Sequence, residues 1–97
     1  MPKIRRIVLD VLKPHAPTIV DLSRKIATLD GVSGVNCTIE EVDQETESLR
    51  VTIEGDAIDF DEVSKAIRAT GAVIHSVDSV SCGKKLVEEV MPSPQRP

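Results

Sequence analysis

The sequence predicts an α+β fold with the element order β-α-β-β-α-β, a four-stranded antiparallel sheet with both helices on one face. The first observation is a predicted hairpin, residues 35–55, in which two alternating apolar runs flank an acidic turn. The second is a pair of amphipathic segments, one on each side of this hairpin. The third is a β-type run at each end of the pattern. A chain of 97 residues suits a single domain, predicted over residues 1–91.

The first predicted strand is Ile4–Lys13, IRRIVLDVLK. Alternation puts Ile7, Leu9 and Val11 on one face. The opposite face carries Ile4, Arg6, Val8, Asp10 and Leu12. Because this second face is also largely apolar, we expect it to be covered by something other than water, such as another subunit.

The first predicted helix is Thr18–Leu29, capped by Thr18 and stopped by Gly31. Its apolar residues recur at spacings of three and four, which gives one buried stripe. The second helix is Asp59–Thr70, where Asp59 and Glu62 form a D-x-x-E pair similar to a capping box. Ala72–Val80 follows as the fourth strand. Residues Lys84–Met91 fit either helical turns or an extended edge, and the Pro-rich residues 92–97 are predicted to be a disordered tail.

The hairpin consists of strands Val35–Asp43 and Glu47–Glu54. If the two strands pair so that their apolar residues share one face, Ile39 lies opposite Val51 and Asp43 opposite Glu47. The other face then places Glu40 opposite Arg50. The whole pattern is ferredoxin-like, and in the usual strand order of that fold the first and third strands are central.

Composition and charge exclude several classes of function. The net charge is −4, and Phe60 is the only aromatic residue, so a nucleic-acid partner is not expected. A basic cluster, Lys3, Arg5 and Arg6, could contact phosphate, although such clusters more often pair with acidic surfaces. Neither a secretory signal nor a run of ~20 apolar residues is visible, so we expect a cytoplasmic protein without a membrane partner.

The acidic hairpin tip is the first candidate site. The alternation of the two strands places three charged residues on the same face as the apolar core residues, namely Glu41, Asp43 and Glu47. Like charges that lie opposite one another destabilise a sheet. A hard cation, Ca²⁺ or Mg²⁺, would relieve this repulsion through oxygen ligands. The alternative is a solvated acidic loop, or one that meets basic residues of a neighbouring subunit.

The second candidate is a polar cluster of Asp10 and His75 on the open face of the sheet. Such a pair could bind a transition metal or move protons, but it is more often a hydrogen-bonded pair at an interface. His75 and Asp78 are three residues apart, so at most one joins Asp10 unless a bulge intervenes. No nucleophile with a paired base and no Gly-rich phosphate loop is present, so neither catalytic nor cofactor-binding residues are assigned.

Four phrases carry a family resemblance: LKPHAPTIVDL, GVSGVN, EEVDQETESLRVTIEG and VIHSVDSVSCGK. Together they resemble the archaeal domain-of-unknown-function family 211. The resemblance implies a ferredoxin-like domain of archaeal, cytoplasmic origin that assembles into homo-oligomeric rings and has no established enzymatic activity. It brings no functional residues with it.

A looser likeness exists to heavy-metal-associated and ACT-type regulatory domains. The metal-carrying domains keep a CxxC in the loop after the first strand, whereas this loop contains His15 and no cysteine. The sequence therefore predicts a non-enzymatic, ring-forming binding or scaffold protein whose partner is itself, with the cation site at the hairpin tip. The alternatives are an ACT-like sensor that binds a small molecule between subunits, and an enzyme that uses Asp10 and His75.

Overall fold

A computed structural model describes residues 1–90 and has the predicted element order. The elements are β1 (Ile4–Pro14), α1 (Ile19–Ala27), β2 (Val32–Val42), β3 (Thr46–Ile58), α2 (Phe60–Arg68) and β4 (Val73–Cys82). The strands form one antiparallel sheet in the order β2-β3-β1-β4, with β3 and β1 in the centre. The predicted ferredoxin-like α+β fold and its central strands are confirmed.

The core lies between the sheet and the two helices. Ile7, Leu9 and Val11 of β1 are buried, as their alternation predicts. The other buried aliphatic residues come from both helices, from β3 and from the connections, namely Leu22, Ile26, Leu49, Val51, Ile53, Ile58, Val63, Ala66, Ile67 and Ala72. Burying each large aliphatic side chain contributes about 1.5–3 kcal/mol, so this layer supplies most of the driving force for folding.

Ile4 corrects one detail of the predicted first strand. The pairing of β1 with both neighbours shifts between Ile4 and Arg6. This irregularity turns Ile4 toward the core cluster, against which it packs. Simple alternation placed Ile4 on the open face, which therefore holds one aliphatic residue fewer than predicted.

Both helices begin at the predicted caps. The Thr18 hydroxyl accepts a hydrogen bond from the Asp21 N–H, and Asp59 Oδ1 accepts from the N–H groups of Asp61 and Glu62. The Glu62 carboxylate does not complete a capping box with Asp59, because it pairs with Lys65 at 3.4 Å instead. Each cap satisfies backbone donors that the first helical turn leaves without partners.

The register of the hairpin differs from the predicted one by two residues. Ile39 lies opposite Leu49 and Cys37 opposite Val51, and a bulge between Ile39 and Glu41 changes the pairing toward the tip. A shift of two leaves every side chain on its face, so the apolar pattern fits either register. Glu40 and Arg50 still form an ion pair, although Thr38 is the residue opposite Arg50.

Residues 84–90 form neither a helix nor a strand. They are tied to β1 by an ion pair between Arg6 and Glu88 at 2.7 Å, and to β4 by a 3.3 Å hydrogen bond from the Ser81 hydroxyl to the Val87 carbonyl. Met91 and the predicted disordered tail, 92–97, lie outside the described residues. No helix within residues 1–90 is long and apolar enough to cross a membrane.

Candidate functional site

The structure does not bring the three predicted tip carboxylates together as one cluster. Glu41 lies opposite Ser48, and both Glu41 and Asp43 are exposed. Asp43 lies in the turn, where its N–H donates to the Thr46 carbonyl at 2.8 Å. Glu47 lies opposite Val42 on β2 and opposite Lys13 on β1, and only 14% of its side chain is exposed. Its charge is therefore met by a lysine of the chain itself.

Lys13 is the one fully buried charged residue within residues 1–90. It continues the inward phase of Ile7, Leu9 and Val11, and its Nζ lies at the end of the core under the loop between β1 and α1. Nζ donates to the carbonyls of Pro14 (2.7 Å), Pro17 (2.5 Å) and His15 (3.3 Å). These three acceptors match the three protons of an ammonium group.

Glu47 compensates the buried Lys13 charge. Its Oε1 is 2.9 Å from Lys13 Nζ, but it is buried and receives no aligned hydrogen bond within residues 1–90. Because Lys13 Nζ directs its protons at the carbonyls of the loop, its contact with Glu47 Oε1 is an ion pair without an aligned hydrogen bond. The pair and its carbonyls join the β1–α1 loop to the start of β3.

His15 extends this cluster to the surface. Its Nδ1 is 3.0 Å from Glu47 Oε2, and its Nε2 is 3.0 Å from the Gln44 carbonyl. Both contacts favour an imidazolium, which donates from both nitrogens. Accordingly the Glu47 carboxylate, followed by the Gln44 carbonyl, raises the pKa of His15, while His15 and then Lys13 lower the pKa of Glu47.

These shifts predict how stability depends on pH. Because the folded pKa of His15 is raised above its ordinary value of about 6.5, its stabilising contribution is complete below that pH. It is lost as the pH rises through the folded pKa. We expect urea titrations between pH 5 and 9 to show a falling stability difference between wild type and His15→Gln. The folded pKa of Glu47 is lowered, so the stability that this carboxylate contributes is lost as the pH falls through its folded pKa.

The control for this prediction is salt. Because 44% of the His15 side chain is exposed, added salt should screen its contact with Glu47 and flatten the pH dependence. A wild-type curve that stays parallel to that of His15→Gln across the range would contradict the assigned contact.

The second predicted cluster is brought together. Asp10, Leu12, Ser48 and His75 line one hollow of about 220 Å³ on the open face. Asp10 pairs with Ser76 and Val11 with Ile74, so His75 is the extra residue of a bulge in β4. We predicted that at most one of His75 and Asp78 joins Asp10 unless a bulge intervenes, and of the two only His75 lines this hollow. Asp78 is engaged elsewhere, as its Oδ1 accepts a 2.7 Å hydrogen bond from the Ser76 hydroxyl.

The cation site at the hairpin tip stays a prediction. Within residues 1–90, no group of three His, Cys, Asp or Glu residues is arranged to hold a metal ion. If Glu41 and Asp43 nevertheless bind Ca²⁺ or Mg²⁺, calorimetry should show saturable heat with wild type and none with Glu41→Ala/Asp43→Ala. Heat that is unchanged in this variant would place the cation elsewhere.

Exposed aliphatic residues mark both edges of the sheet. On β2, Ile39 is 39% and Val42 61% exposed. On β4, the exposed valines are Val73 (50%), Val77 (45%) and Val80 (48%). Leu12, also exposed, lies directly opposite Val73. These residues stay exposed although α1 contacts β2 and α2 contacts β4.

The fold and these surfaces define a small ferredoxin-like α+β protein in which, within residues 1–90, both helices cover the same face of the sheet. The chain belongs to the DUF211 family, described as uncharacterised ArCR, which matches residues 5–96. It is 53% identical over 90 residues to "Uncharacterized protein MJ0319" of the archaeon Methanocaldococcus jannaschii, and the match covers 93% of each chain. The predicted archaeal family is thereby confirmed, and neither description assigns an activity.

Proposed function

We propose that this protein is a non-enzymatic, homo-oligomeric binding or scaffold protein whose copies join edge to edge into a ring. The observation that carries the proposal is the state of the two edge strands. β2 has 11 residues and β4 has 10, and each carries the exposed aliphatic residues described above. Long edges with exposed aliphatic side chains are surfaces on which another strand can pair.

The sequences of the edges support pairing. Monomeric proteins commonly protect an edge with lysine or proline, or by covering it. Neither residue type occurs in β2 (VSGVNCTIEEV) or in β4 (VIHSVDSVSC). Both strands also contain bulges, which bend the bulged strand and can weaken pairing at an edge, so the pairing surface is the regular part of each strand.

The topology supports a head-to-tail contact. β2 and β4 are the opposite ends of the order β2-β3-β1-β4, and all neighbouring strands are antiparallel. If copies keep their strand direction, β4 of one copy meets β2 of the next in antiparallel orientation. Such a contact uses two different surfaces, and it closes into a ring when the rotation between copies allows.

Lysine substitutions at the two edges test this proposal. Wild type should have a mass in solution that is a multiple of the chain mass of 10.5 kDa. Val42→Lys on β2 and Val73→Lys on β4 should each reduce it, because a charge at an edge opposes pairing. Val20→Lys is the matched control, since Val20 is 52% exposed but lies on α1. Equal effects of the control and the edge variants would contradict edge-to-edge assembly.

The Asp10–His75 hollow favours one second candidate, an enzyme that uses these two residues on the open face. A carboxylate beside an imidazole is a common arrangement for proton transfer. Any turnover should then be lost in Asp10→Ala and in His75→Ala while the mass in solution stays unchanged. Turnover that survives both substitutions would exclude this role for the hollow.

A further inference from the structure

The basic cluster at the N-terminus is divided by the sheet into two unlike halves. Arg6 lies on the open face, where Nη2 is 2.7 Å from Glu54 Oε2 and Nη1 is 2.7 Å from Glu88 Oε1. Its charge is met by two carboxylates, which also raise its pKa. Arg5, the next residue back, bonds to neither of them. The two guanidinium groups therefore have different roles.

Arg5 is held in place by backbone carbonyls alone. Its Nε donates to Gly55 O at 3.3 Å, and its Nη1 donates to Gly83 O at 3.4 Å and to Lys84 O at 2.6 Å. These contacts join β1 to β3 and to the end of β4. Because a guanidinium is planar and rigid, fixing two of its nitrogens also fixes the direction of the third, Nη2.

The Arg5 charge has no counterion in the described part of the chain. Arg5 is half-buried, yet no carboxylate among residues 1–90 lies within ion-pair distance of it, and its Nη2 has no hydrogen-bond partner there. A partly buried cation without a counterion is costly, so natural proteins usually pair it. An oriented, unpaired guanidinium is thus ready to receive an anion.

A hollow of about 690 Å³ lies beside Arg5. Its walls are formed by Met1, Pro2, Lys3, Arg5, Asp56, Gly83 and Lys84. Three basic residues and one acidic residue thus line this hollow, in a chain whose net charge is −4. The volume falls in the range of about 300–1,000 Å³ that is typical of small-molecule sites, well above the needs of a free phosphate ion.

From this arrangement we infer that the Arg5 hollow is a binding site for a small phosphate monoester. The guanidinium edge that carries Nη2 contacts the phosphate oxygens through charge-assisted hydrogen bonds. Lys3 and Lys84, both exposed, add charge from the two sides, and Met1 and Pro2 give the organic part an apolar wall. The site lies at the opposite end of β1 from Lys13, next to the end of β4.

The inference can be tested by calorimetry with the full chain and ribose 5-phosphate, inorganic phosphate or a single-stranded oligonucleotide as the ligand. Ribose 5-phosphate should give saturable heat and bind more tightly than inorganic phosphate, which has no organic part to contact the walls of the hollow. The oligonucleotide should not bind, because the net charge repels a polyanion. Binding of the oligonucleotide without ribose 5-phosphate, or no saturable heat with the monoester at millimolar concentration, would overturn the inference.

Variants locate the binding site. Lys3→Gln/Lys84→Gln should weaken ribose 5-phosphate binding about tenfold or more, because it removes two charge-assisted contacts at exposed positions. Arg24→Gln/Lys25→Gln on α1 is the charge-matched control and should bind like wild type. Arg5→Gln should abolish binding, and circular dichroism will show whether it folds. If Arg5→Gln unfolds, Lys3→Gln/Lys84→Gln is the deciding variant, and equal affinities of that variant and Arg24→Gln/Lys25→Gln would overturn the assignment.

Discussion

Lys13→Met is expected to lower the free energy of unfolding by about 3–5 kcal/mol, the usual cost of removing one partner of a buried ion pair. Methionine fills nearly the same space, so the loss does not come from a cavity. It arises because the carbonyls of Pro14, His15 and Pro17 and the Glu47 Oε1 atom lose the ammonium that they share. For a small domain with a total stability of about 5–15 kcal/mol, such a loss is severe.

Urea denaturation followed by far-UV circular dichroism measures this effect. Lys65→Met is the matched control, because Lys65 is 69% exposed in its pair with Glu62. The control should change stability by no more than about 0.5 kcal/mol. A loss below about 1 kcal/mol for Lys13→Met would show that the ammonium is not held as described.

Gly55→Ala is expected to be comparably harmful, with a loss of about 3 kcal/mol or more. A Cβ at Gly55 would lie 1.9 Å from the carbonyl oxygen of Gly31, which is backbone and cannot rotate away. Gly31 is fixed in turn, since its own φ is +84° and its carbonyl accepts the Asp56 N–H at 3.1 Å. The start of β2 would have to separate from β3 to admit one methyl group.

Gly34→Ala is the control for this substitution. Gly34 also lies at the start of β2, but a Cβ there meets open space. Its effect on the urea midpoint should be neutral, or stabilising by about 0.4–1 kcal/mol through the reduced entropy of the unfolded chain. Similar losses at both glycines would contradict the close approach of Gly31 and Gly55.

The parts of the fold that follow from local pattern could be predicted from the sequence. The alternation of Ile7, Leu9 and Val11 and the cap at Asp59 depend on neighbours along the chain. The hairpin register depends on a bulge near Ile39, and apolar alternation cannot distinguish registers that differ by two. The bulge at His75 likewise depends on how β4 pairs with β1, which the alternation within β4 does not contain.

The candidate site could be predicted only in part, because the partner of Glu47 lies on β1, a strand distant in sequence. Lys13 continues the alternation of Ile7, Leu9 and Val11, and that phase was the signal of a buried lysine. A buried lysine requires an acidic partner, and Glu47 in the core phase of β3 supplies it. Together, these two charged residues in core-phase positions indicate an ion pair rather than a metal site. The role of Arg5 depends on three carbonyls distant in sequence, which local pattern does not contain.

The most direct test of the central proposal, assembly through the sheet edges, is the mass of the full chain in solution by multi-angle light scattering at micromolar concentration. The proposal predicts a single species at an integer multiple of 10.5 kDa that Val73→Lys breaks down to smaller species. A wild-type mass of one chain would contradict it.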